Sequence, residues 1–90
     1  MNFFTHSKNT TIIDENQNYQ LDAHQVLYYN TGDTIVTVND VPVFPRSTMS
    51  ENDYSIIVYY KEVVTIKFQE SSDTNAKNEL FIIEKKYYPL

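Results

Sequence analysis

Ninety residues with a formal net charge of −5 make one domain with one modest core. The absence of Cys excludes disulfides and thiolate metal sites, and two His leave little for zinc. The acid excess argues against nucleic-acid phosphate as a partner, because the seven basic residues are scattered and only Lys85-Lys86 adjoin.

The chain begins Met1-Asn2-Phe3-Phe4-Thr5-His6, without the charged and apolar regions of a secretory leader. No apolar run approaches the ~20 residues that span a bilayer. The expectation is synthesis in the cytoplasm, with no membrane partner, and the sequon Asn9-Thr10-Thr11 unused. Met1 to Thr11 is polar apart from Met1, Phe3 and Phe4 and lacks clean alternation, so residues 1–11 are expected to be an N-terminal arm. Phe3 and Phe4 either pack on the core or dock on a neighbouring chain, by pocket filling or strand addition. Residues 12–90 form the domain proper, and Ile12-Ile13 can add a short strand.

Asp14-Glu15-Asn16-Gln17-Asn18 has the alternating-oxygen spacing of a calcium loop. Tyr19 stands where the loop needs Gly and Gln25 where it needs Glu, so a polar turn capping its own backbone is expected. Val26-Leu27-Tyr28-Tyr29 reads as a strand closed by Asn30-Thr31-Gly32-Asp33, where the only Gly is expected to supply a positive φ. Thr34 to Val38 follows as a strand. Asn39-Asp40 suits a type I′ turn into Val41-Pro42-Val43-Phe44, and Pro42 marks an edge strand.

Pro45 to Asp53 and Gln69 to Asn78 read as polar loops. Tyr54 to Tyr60 is apolar on both faces after Ser55, so it reads as a central strand or one covered by a partner. Lys61-Glu62 is expected to turn it into a hairpin with Val63–Gln69. In that run Val64, Ile66 and Phe68 face one way and Thr65, Lys67 and Gln69 the other. Glu79 to Tyr88 is the last strand.

Val, Ile and Thr abound beside eight Tyr and five Phe, while Ala and Leu are scarce, and no window holds a helical period. Short strands joined by turns indicate an all-β, compact antiparallel β-sandwich of six or seven strands, with a small barrel as the alternative. Each Tyr pair places one ring on each strand face, so Tyr29, Tyr60, Tyr87 and Tyr88 join Phe3 and Phe4 as candidate partner-binding residues. One Gly cannot build a nucleophile elbow or a phosphate loop, and His6 and His24 have no spacing partner. No catalytic residue, metal or cofactor is expected.

From Tyr28 to Phe68, a strand ending Tyr-Tyr-Asn-Thr-Gly leads to Thr-Ile-Val-Thr-Val-Asn-Asp-Val-Pro-Val-Phe-Pro. A loop, a hydrophobic strand and Val-Thr-Ile-Lys-Phe follow. This succession resembles small β-sandwich structural proteins of tailed bacteriophages, in decoration, neck and tail components. Such modules often place Gly after the second Pro, where this chain has Arg46. The resemblance implies a non-enzymatic virion protein that binds other virion proteins in symmetric copies, with homo-oligomerisation open. Two alternatives stand beside it: a small acidic inhibitor of a host defence enzyme, acting through exposed acids and Tyr, and a carbohydrate-binding β-sandwich, weakened by the absence of Trp.

Overall fold

The computed structural model describes residues 4–51 and 59–89. The expected strand Tyr54 to Tyr60 lies mostly outside them.

The described residues form eight strands: β1 (Phe4–Ile13), β2 (Gln17–Gln20), β3 (Gln25–Asn30), β4 (Val36–Val38), β5 (Val41–Val43), β6 (Thr48–Glu51), β7 (Val63–Phe68) and β8 (Leu80–Pro89). They form two antiparallel sheets of four, in the orders β1-β8-β3-β6 and β2-β7-β4-β5. The fold is a β-sandwich, with two separate sheets in place of a closed barrel. Strands β1 and β8, β2 and β7, β3 and β6, and β4 and β5 pair in nested fashion. That is one long hairpin folded over itself, the winding of a jelly roll.

The core follows from the strand period. In β7 Val64, Ile66 and Phe68 are buried while Val63, Thr65 and Lys67 are exposed. Val36, Val38 and Val43 meet them within the same sheet, and Val26, Tyr28, Leu80 and Ile82 approach from the other. Each fully buried aliphatic side chain contributes about 1.5–3 kcal/mol.

Asn39 and Asp40 take φ of 49° and 67°, as a type I′ turn requires, and Pro42 sits on the edge strand β5. Gly32 has no positive φ. A Cβ on it would lie 2.5 Å from the carbonyl oxygen of Lys77 and 2.7 Å from the nitrogen of Glu79, so glycine is required by close backbone approach. The left-handed residue of this region is Arg46, at φ 63°.

Three further expectations change. Residues 4–11 are no separate arm in this structure: β1 runs through that boundary and pairs with β8 from Phe4 to Ile13. The loop from Pro45 contains β6, and the polar stretch after Asn16 contains β2. Lys61-Glu62 does not reverse the chain. Tyr60 pairs with Ala23 in the register that puts Val63 opposite Gln20, and Leu21 N–H donates to the Glu62 carbonyl, so the chain runs extended through both residues.

Candidate interaction surface

The two outer faces of the sandwich differ in chemistry. On the first sheet, the register sets Ile12, Phe81, Tyr29 and Thr48 in one cross-strand row. Thr10, Ile83, Leu27 and Ser50 form the next, followed by Lys8, Lys85 and Gln25. Ile12 and Tyr29 are exposed, and Phe81, Ile83 and Leu27 are half-buried. These apolar side chains come together because β8 alternates two apolar sets: Leu80 and Ile82 face the core, Phe81 and Ile83 face out. The outer face of the second sheet carries Asn18, Thr65, Thr37 and Lys67, with Val63 and Pro42 as its apolar members. There Thr65 donates to Asn18 Oδ1 at 3.1 Å.

A depression of about 230 Å³ on the first face is lined by Lys8, Leu27, Glu51, Ile83 and Lys85. Burial pushes the Glu51 carboxyl above its ordinary value, against the Tyr28 hydroxyl that donates to its Oε2 at 3.1 Å. Burial first, and then Glu51, raise Tyr28 well above the usual phenol range.

Beyond Lys85, β8 loses β3 but keeps β1, so residues 4–7 and 86–89 form a two-stranded ribbon. Tyr87 sits there among rings. Its centroid is 5.7 Å from His24 and 6.1 Å from His6, and His24 meets Tyr59 edge-on at 4.9 Å. Tyr87 N–H donates to His24 Nδ1 at 3.0 Å, which leaves Nε2 to carry the proton of the neutral ring. Lys85 Nζ lies 5.3 Å from the Tyr87 centroid. Lys86 Nζ reaches Asp22 at 2.7 Å, and that bond raises its pKa.

Glu84 is buried between the sheets. It accepts from the Tyr19 hydroxyl and, at 2.8 Å, from Asp22 N–H. Burial and then Glu84 raise the pKa of Tyr19. This partnered carboxylate borders a polar cleft of about 240 Å³ that also touches Asn9, Asp22 and Lys86. The calcium-like spacing is spent on structure: Asn16 Oδ1 accepts from Phe68 N–H, and Asn18 holds Thr65. Among the described residues no three His or acidic side chains gather as metal ligands.

The expected contact residues are dispersed. Phe3 lies outside the described residues, and Phe4 is the first residue of β1, opposite Pro89. Tyr29 is exposed on the apolar face, six positions from Tyr87 by register, about 20 Å at the strand rise. Tyr88 is exposed on the opposite face of β8 from Tyr87. Tyr60 packs against the core, so its neighbour Tyr59 is the outward ring. Sequence reasoning passed over Ile12, Phe81, Leu27 and Ile83; the apolar residues on both faces of β8 were the available signal.

No family model, curated protein or solved structure matches this chain.

Proposed function

We propose that this chain is a non-enzymatic structural protein of a tailed-phage virion, held to neighbouring virion proteins through the outer face of its first sheet. The carrying observation is the double apolar row of Ile12, Phe81, Tyr29, Ile83 and Leu27, which lies outside the core. A contiguous apolar patch on a small domain marks an interaction site, and Tyr is suited to such surfaces. The jelly-roll winding supports the reading because it recurs in viral coat domains; it occurs in lectins too, so the fold by itself does not decide function.

The test is mass spectrometry of virions from the phage that encodes the chain, with wild type and Tyr29→Glu compared. Wild type should be present in many copies. Tyr29→Glu, which changes an exposed ring, should fold and be depleted from particles. A chain absent from virions, or a variant incorporated at the wild-type level, overturns the reading.

A further inference from the structure

Among the described residues the sandwich has four sheet edges, β1, β6, β2 and β5. Three are blunted. Strand β2 has four residues, β6 has four among the described residues, and β5 has three with Pro42 at its centre. The fourth, β1, has ten residues, no Pro, an unbroken register against β8 and a single Lys. Among the described residues nothing pairs with its other side. A long, plain edge of this kind is a template for a further strand.

The backbone groups on that edge can be assigned. Thr31 N–H donates to the Glu79 carbonyl at 3.1 Å, so odd-numbered residues of β8 aim their backbone groups at β3 and even-numbered ones at β1. By register, Ser7, Asn9 and Thr11 are then bonded to β8. His6, Lys8, Thr10 and Ile12 turn N–H and C=O to the open side.

We propose that β1 pairs antiparallel with β1 of a second copy, with Asn9 on the two-fold axis, so that the first sheets of both copies become continuous. Pairing of open backbone groups requires even residues opposite even residues, which places the axis on a residue. With the axis on Lys8, two ammonium groups that already face Lys85 would oppose each other. With the axis on Thr10, the overlap shrinks to residues 7–13. The Asn9 axis overlaps residues 5–13 and sets Lys8 against Thr10 of the second copy and Ile12 against its His6. Ile12, 59% exposed, is the most exposed large apolar side chain among the described residues. The pairing covers it with His6, whose ring neighbours Tyr87. One sequence supplies both halves of the match, which favours a second copy over a foreign strand. The edge shares Ile12 with the outer face but leaves Tyr29, Phe81, Leu27 and Ile83 uncovered, and each proposal has its own readout, particle incorporation for the face and oligomeric state for the edge.

Sedimentation equilibrium of the purified full chain tests it. Wild type should form a reversible dimer. Thr10→Pro removes an N–H that β8 does not use, so it should keep a β circular-dichroism spectrum and become monomeric. Thr10→Glu, facing Lys8 of the second copy, should tighten the dimer about two- to tenfold, and Thr10→Lys should loosen it similarly. General charge repulsion predicts the reverse order, because the chain is already acidic. A wild type that stays monomeric up to millimolar concentration, as expected if the edge serves a foreign strand, overturns the proposal. A folded Thr10→Pro that still dimerises, or a Thr10→Glu dimer weaker than wild type, also overturns it. Should Thr10→Pro fail to fold, the Glu and Lys variants decide.

Discussion

The two ends of the first sheet are held in different ways, although the same strands β1 and β8 run through both. At the end where β8 begins, polar groups tie neighbouring loops together. Buried Asn30 donates from Nδ2 to the carbonyls of Thr34 (2.7 Å) and Val43 (2.9 Å), and its Oδ1 accepts from Gly32 N–H. Asp33 N–H donates to the Lys77 carbonyl, and Lys77 N–H returns a bond to the Asp33 carboxylate. At the other end the ribbon has one partner strand per strand and rings in place of a core. Polar bonds that close on buried groups lock an end, because leaving them unmade costs more than making them gains. Ring contacts with solvent beside them hold an end loosely and leave its surface for partners.

Substitutions that separate the two ends sharpen this contrast. The largest effect is expected from Asn30→Ala, which removes the buried bonds to the Thr34 and Val43 carbonyls and to Gly32 N–H, the last of which keeps its bond to the Glu79 carbonyl. Chemical denaturation should show a loss of about 3–5 kcal/mol. A loss below about 1 kcal/mol would mean that solvent reaches the site and that the end is not locked. Tyr87→Ala should cost only about 0.5–1.5 kcal/mol, from its contacts with His6, His24 and Lys85. Its hydrogen-exchange pattern should change in the ribbon and stay unchanged around Asn30. Spread of the change to Asn30 would show the ends to be one cooperative unit.

The smallest effect has the opposite sign. Arg46 holds a left-handed φ and an exposed ion pair to Asp33 at 3.1 Å. Arg46→Gly relieves the backbone and gives up a weak pair, so it should stabilise by up to about 1 kcal/mol. The Asp33 carboxyl lies below its ordinary value, first because Lys77 N–H bonds it and then because of Arg46. A depressed carboxyl contributes stability above its unfolded pKa and loses it as the pH falls through the folded value. Arg46→Gly should therefore leave most of this acid limb in place, which a pH series of thermal melts would show. Disappearance of the limb would make Arg46 the main cause.

Several features were legible in the residues themselves. Alternation in Val63–Phe68 placed Val64, Ile66 and Phe68 inward, and Asn39-Asp40 with Pro42 placed a tight turn and an edge strand. The candidate surface was legible only in part. Tyr29 was found by its doubled Tyr, but the rows around it need the pairing of β8 with both β1 and β3. Tyr60 was assigned outward because a Tyr pair does not say which of its rings meets the core.

Local chemistry thus determined the β class, the hairpin at residues 39–40 and the inward face of β7, because side-chain period and turn conformation are properties of neighbouring residues. Tertiary structure decided the rest. Polar β1, β2 and β6 are strands because β8, β7 and β3 supply their ladder bonds, which no periodicity in their own residues reports. Gly32 looked like a residue chosen for φ, but it is glycine because distant Lys77 and Glu79 pass against it. The apolar face and the open β1 edge exist only once the chain has wound into two sheets, since an edge is defined by the strand that is missing beside it.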